Sequence, residues 1–133
     1  MYRHFIVKET FKHRKECFCP DQAHAHDVTI YEGDIIEIIN DRRYIDDKGW
    51  YFLISINSLH EFYLSLEELE NYYASGVIVS ATDIELSLNY FQFKIDEALD
   101  MGDEERFFQF TQNFIEARSL LQKIENYVLK VPL

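Results

Sequence analysis

Two short runs of metal-ligand type lie close together near the start of the chain: Cys17-Phe18-Cys19 and, four residues later, His24-Ala25-His26. Side chains alternate along an extended strand, so a C-x-C or an H-x-H places both of its ligands on one face. A hairpin turning at Pro20-Asp21-Gln22-Ala23 would bring the two pairs together. Two thiolates and two imidazoles suit tetrahedral zinc. Four protein ligands leave no open position, so such a zinc would be a structural staple. His13 is a further candidate ligand. The spacing is tighter than the usual C-x₂₋₄-C and H-x₃₋₅-H. The simpler reading of Cys17, Cys19, His24 and His26 is a loop with free thiols and two exposed histidines. A Cys17–Cys19 disulfide is not expected in a reducing cytosol.

The second cluster is acidic: Asp96, Glu97, Asp100, Asp103, Glu104 and Glu105, with no basic residue before Arg106. A calcium loop needs alternating oxygen ligands around a central Gly and a terminal Glu. Asp100-Met101-Gly102 does not supply that pattern. Asp96 and Asp100, one turn apart, share a helix face, and Asp103–Glu105 suit the positive end of a helix dipole. The cluster reads first as a solvated turn, with Asp96, Asp100 and Glu104 as candidate contacts for a basic partner. There is no Gly-rich phosphate loop and no nucleophile elbow. His60-Glu61 lacks the second His of a zinc-protease motif. No catalytic residue is assigned and no enzyme is expected.

The elements that must position these residues fall into two regimes. Up to about Tyr63 the apolar residues form short runs rich in β-branched and aromatic types, at His4–Phe11, Glu16–Phe18, Val28–Tyr31, Asp34–Asn40, Trp50–Ile56 and Phe62–Leu64. Breaks fall at Pro20–Ala23, Glu32–Gly33, Asn40–Arg43, Asp46–Gly49 and Asn57–Glu61. Short, evenly spaced strands of this kind predict a small antiparallel barrel or sandwich. Tyr44, Arg42 and Arg43 read as an exposed loop tip. Ser65-Leu66-Glu67-Glu68 is a capping box that opens a short helix over 66–74. Val77-Ile78-Val79 is a last strand or an extended linker.

After about Thr82 the spacing becomes helical. Thr82-Asp83-Ile84-Glu85 reads as a second capping box, followed by a stripe of Ile84, Leu88, Phe91, Ile95, Ala98 and Leu99. Gly102 stops this helix and Asp103 caps the next, whose Phe107, Phe110, Phe114, Ala117, Leu121, Ile124 and Val128 alternate in threes and fours. Two such stripes joined by a short turn predict an αα-hairpin. Tyr90, Phe93, Phe108, Ile115 and Tyr127 lie off the main rows. They either dock the hairpin on the rest of the chain or form a dimer or partner surface.

Residues 95–99 spell Ile95-Asp96-Glu97-Ala98-Leu99. With the acidic turn and Phe-rich helix that follow, residues 87–122 resemble the IDEAL domain, a short module named for that pentapeptide. The resemblance implies a small protein of Gram-positive, Bacillus-like bacteria, no catalytic residue, and behaviour like that of an interaction module. A second resemblance runs through Gly33-Asp34-Ile35-Ile36-Glu37-Ile38, Gly49-Trp50-Tyr51-Phe52 and Glu61–Tyr73. It is similar to the Src-homology-3 barrel pattern, with Trp50 matching that family's groove Trp. The Pro and Tyr that complete a proline-binding groove have no counterpart near Leu64-Ser65-Leu66, so proline-rich ligands are not implied.

Size and charge bound what remains. The chain has 133 residues, is 47% hydrophobic and 16% aromatic, and holds 13 basic against 24 acidic residues for a net charge of −11. Direct nucleic-acid binding is disfavoured by that charge. No apolar run reaches a membrane span of roughly 18 residues and no signal-peptide core opens the chain, so a cytoplasmic protein is expected. The sequence thus predicts an α+β chain: an SH3-like barrel over 1–75 with a short helix at 66–74, then an IDEAL-type hairpin over 82–130. The expected function is a non-enzymatic adaptor or small regulator that binds a protein partner through Trp50, Tyr90 or Phe108, with acidic residues steering encounter. Alternatives are an acidic inhibitor mimicking nucleic acid on a basic partner, a zinc-stapled structural protein, and a homodimer formed through the hairpin aromatics. No cofactor is expected apart from that candidate zinc.

Overall fold

A computed structural model describes residues 3–15 and 26–130. The chain divides into two compact units, residues 1–79 and 80–133. The architecture is α+β, with antiparallel ladders followed by two long helices.

The first unit contains β1 (His4–Val7), β2 (Phe11–Lys15), β3 (His26–Ile30), β4 (Ile35–Ile45), β5 (Gly49–Ile56), β6 (His60–Ser65), α1 (Leu66–Ala74) and β7 (Ile78–Ser80). Five strands form one sheet in the order β6-β5-β4-β1-β7, and β2 pairs with β3 in a separate two-stranded ladder. Period-two alternation sets the core. Ile36 and Ile38 of β4 stand opposite Ile56 and Ile54 of β5, and Ile54 stands opposite Phe62 of β6. Phe5 pairs with Ile36 on the other side, and Leu69 of α1 packs into the same buried cluster. Each such side chain contributes roughly 1.5–3 kcal/mol on leaving water. The four isoleucines here also favour the strand through their stiff, branched side chains.

The turns are fixed by local chemistry. Asn57 and Ser58 both have positive φ (53° and 61°), and the Leu59 N–H donates to the Ile56 carbonyl at 2.9 Å. Positive φ at both central residues fits a type I′ turn over Ile56–Leu59, and Ile56 pairs with His60 across the three-residue loop. Asn57 also ties two turns together: its side-chain oxygen accepts from the Ile35 N–H at 2.8 Å, and its amide donates to Asp34 at 3.0 Å.

Three features of the first unit differ from the sequence expectation. The run His4–Phe11 is two strands. Lys8, Glu9 and Thr10 are exposed, and the Thr10 hydroxyl accepts from the Glu32 N–H at 2.9 Å. After this bend β2 pairs with β3, from Phe11↔Ile30 to Lys15↔His26. The ladders do not close into a barrel among the described residues. The expected break at Asn40–Arg43 lies inside β4. Between Ile38 and Arg42 the strand shifts register, four residues on β4 spanning what Ile54 to Phe52 spans on β5. This is a bulge, which lets one strand take up extra residues without ending.

The second unit is α2 (Ala81–Met101) and α3 (Glu104–Lys130), packed along each other. Gly102 ends α2 at φ 69°, the left-handed conformation that a residue with a Cβ resists. The Asp103 carboxylate then accepts from the Arg106 N–H at 3.1 Å, capping α3. At the start of α2 the cap is Ser80, not Thr82. The Ser80 hydroxyl accepts from the Asp83 N–H at 3.2 Å, and the Asp83 carboxylate accepts from the Ser80 N–H at 3.0 Å. Ser80→Ala is therefore expected to destabilise the chain by about 1 kcal/mol. Thr82→Ala, whose residue caps nothing, should change stability by less than about 0.5 kcal/mol. Urea unfolding of the two variants decides between the two cap positions.

Candidate functional site

Past the bulge β4 stays paired with β5, with register Arg42↔Phe52, Arg43↔Tyr51 and Tyr44↔Trp50; β6 still covers β5 at Phe52↔Leu64 and Tyr51↔Ser65, so only the Tyr44–Trp50 end is a two-stranded arm. Directly opposed residues share a face. One face of the ladder therefore carries Arg42, Tyr44 and Trp50. Tyr44 and Trp50 meet edge to face with ring centroids 5.3 Å apart, and the Arg42 guanidinium lies 5.3 Å over the Trp50 ring. Tyr44 is 59% exposed and Trp50 44% exposed. On the opposite face the Arg43 guanidinium lies 4.8 Å over the Tyr63 ring, and the Tyr63 hydroxyl donates to Asp41 at 2.9 Å. The bulge opens a groove of about 260 Å³, lined among others by Arg3, Ile38, Asp41, Arg42 and Phe52. Sequence reading had Arg42, Arg43 and Tyr44 at a loop tip. Asn40-Asp41 does look like a turn locally, and only the pairing across to Trp50–Phe52 shows that the strand continues.

A second group is buried. His13 of β2 is 3% exposed, with Nδ1 at 2.9 Å from the Tyr72 hydroxyl and 3.1 Å from the Glu68 carboxylate, both on α1. Its ring stacks on Phe62 at 5.6 Å. Burial, with the Glu68 carboxylate beside it, holds the Tyr72 phenol above its usual range. Imidazole, carboxylate and phenol are the groups of acid–base chemistry. Here both partners share one ring nitrogen, with the His13 ring buried and the Glu68 carboxylate partly open to solvent, so the arrangement ties β2 to α1. The sequence offers Glu68 as part of a capping box and His13 as a further candidate ligand, and neither points to this contact. The Ser65 hydroxyl does cap α1, accepting from the Glu68 N–H at 3.1 Å.

Of the metal candidates, Cys17, Cys19 and His24 lie outside the described residues. His26 opens β3, exposed and opposite Lys15. Among the described residues no group of three or more His, Cys, Asp or Glu is placed to hold a metal ion.

The hairpin residues are exposed on their helices. Leu86, Tyr90 and Phe93 share one face of α2, and Phe108 and Ile115, seven apart, share one face of α3; all five are more than half exposed. The Tyr90 ring meets Phe91 and Phe110 edge on. The acidic residues are engaged locally. Asp96 accepts from the Gln92 amide at 3.1 Å, Glu97 pairs with Lys94 at 3.5 Å, and Asp103 pairs with Arg106 at 3.5 Å. Asp100 and Glu104 are exposed at the end of α2 and the start of α3.

The IDEAL domain model matches residues 87–113, which comprise most of α2, the Gly102–Asp103 turn and the first turns of α3. No curated protein and no solved structure matches the chain. No helix among the described residues is long and apolar enough to cross a membrane.

Beside the groove, Glu37 lies 3.5 Å from Arg3 and 3.8 Å from His4. Burial lowers the His4 pKa, outweighing the opposing pull of Glu37, and Arg3 adds to the lowering. The fold therefore prefers neutral His4. Its contribution to stability is complete above the unfolded pKa of about 6.5 and is lost as pH falls through the lower folded value. Urea unfolding between pH 7.5 and pH 5 should show stability falling with pH, and His4→Gln should flatten part of that slope.

Proposed function

We propose that this chain is a non-enzymatic protein–protein interaction module, an adaptor or small regulator, whose first-unit contact surface is the β4–β5 ladder past the bulge. The observation that carries this reading is the exposed cluster of Arg42, Tyr44 and Trp50 on a rigid ladder. Trp and Tyr dominate binding hot spots because they offer large area with few rotatable bonds, and Arg because its planar guanidinium combines stacking with directed hydrogen bonds. The Gly33-Asp34 turn and Gly49-Trp50 support the SH3-like character of this unit as part of the same proposal.

Tyr90 and Phe108, with Asp96, Asp100 and Glu104 nearby in sequence, form the proposed contact surface of the hairpin for a basic partner. An acidic mimic of nucleic acid has net charge in its favour, but Asp96, Glu97 and Asp103 already serve local helix contacts. Three of the four ligands of a zinc staple, Cys17, Cys19 and His24, lie outside the described residues.

Affinity purification with wild-type and Trp50→Ala chains tests the reading. The partner recovered with wild type should bind the variant more weakly by about 2 kcal/mol, while the variant's unfolding stays within about 1 kcal/mol of wild type. Equal binding by both would remove Trp50 as an anchor and the reading with it.

A further inference from the structure

We infer that the outer edge of β4, residues 40–45, is a strand-addition site for an extended peptide carrying two consecutive acidic residues. This deepens the interaction reading above and rests on it.

The edge is open. On the β1 side β4 is paired at Ile35, Ile36 and Glu37, and the last backbone bond is the Ile38 N–H donating to the Arg3 carbonyl at 2.8 Å. Beyond Ile38 no described residue pairs with that side of β4, while β5 covers the other side as far as Gly49. The Ile45 carbonyl accepts from the Lys48 N–H within the β4–β5 turn, which puts the Ile45 groups on the β5 side. Alternation then leaves the backbone groups of Arg42 and Tyr44 pointing out of the sheet. Unpaired strand groups of this kind are a template for another strand.

Charge selects the occupant. In a chain of net charge −11, Arg42 and Arg43 form no ion pair among the described residues; each instead lies over an aromatic ring. Being adjacent on a strand, they flank the edge on opposite faces. A strand added in antiparallel register presents neighbouring side chains to opposite faces too. Its residue opposite Tyr44 joins the Tyr44–Trp50 face, the next meets Arg43, and the next meets Arg42. The fitting pattern is thus aromatic-acid-acid. The following residue reaches the groove at the bulge, which Arg42 lines together with Asp41 and with Arg3, itself paired to Glu37 at 3.5 Å. Guanidinium binds carboxylate in a fixed, two-pronged geometry, so each arginine can move from ring to ligand without losing its stacking face.

Trp50 is the chain's one tryptophan and sits on this face, so its fluorescence reports binding directly. The probe is a short Thr/Val peptide with Tyr-Asp-Glu at its centre, titrated into the whole chain. Saturable binding is expected, weakening about tenfold for a Tyr-Asn-Gln peptide, for the R42Q/R43Q double variant and at high salt. Amide hydrogen exchange should slow at Arg42 and Tyr44 on peptide addition, which binding by charge alone does not produce. Equal binding of the neutral peptide, or binding without slowed exchange at those two amides, overturns the proposal. So does slowing that rises with chain concentration without peptide, which would make the occupant a second copy. A partner captured through Trp50 while the acidic peptide fails to bind sinks the edge assignment and leaves the interaction reading standing.

Discussion

The bulge between Ile38 and Arg42 is the constraint on which the first unit turns. Before it, β4 lies between β1 and β5, and its isoleucines are buried. After it, β4 has β5 alone as a described partner, and residues 40–44 are exposed. A bulge re-aims the strand and increases its twist. Here it allows one eleven-residue strand to serve two environments, as a core wall and then as a sheet edge unpaired among the described residues. The stacked rings and guanidinium groups beside this edge contribute modestly to stability, about 0.5–1 kcal/mol per exposed cation–π pair. Their larger effect is to hold four long side chains in one arrangement, which lowers the entropy lost when another surface packs on them.

The rest of the unit keeps the sheet in place through polar ties set where apolar packing thins. Asp34 and Asn57 link the turn before β4 to the turn before β6. His13 links the small β2–β3 ladder to α1 through Tyr72 and Glu68. A buried imidazole left without partners would cost several kcal/mol, so the tie matters as much for register as for energy. It holds the two-stranded ladder, which is marginal by itself, against the sheet and helix.

Much of this was legible in the sequence where one period dominates. The isoleucine runs Ile35–Ile38 and Leu53–Ile56 read directly as strands, and the stripe from Ile84 to Ala98 read as a helix face. What was not legible depended on partners distant in sequence. His4–Phe11 shows continuous strand propensity; the split at Lys8–Thr10 follows from β2 finding β3 and His13 finding Tyr72. Ser80-Ala81-Thr82-Asp83 and Thr82-Asp83-Ile84-Glu85 are both acceptable caps. The extended backbone at Ser80, the last residue of β7, decides between them. Asn40-Asp41-Arg42-Arg43 is polar enough to pass for a turn, and only Trp50 and Phe52 across the ladder show otherwise.

The β4 edge also resolves an apparent conflict between charge and aggregation. An exposed strand edge invites indiscriminate pairing, and proteins commonly block it with charged side chains. Arg42 and Arg43 do this from both faces. In a chain with nearly twice as many acidic as basic residues, however, cationic gatekeepers are the less available choice. An acidic pair at the same positions would guard the edge as well against neutral strands, and would repel acidic ones. Arginines guard it against neutral and basic strands while admitting acidic ones. The sign of the charge therefore carries information that its magnitude does not: it converts a protected edge into a selective one.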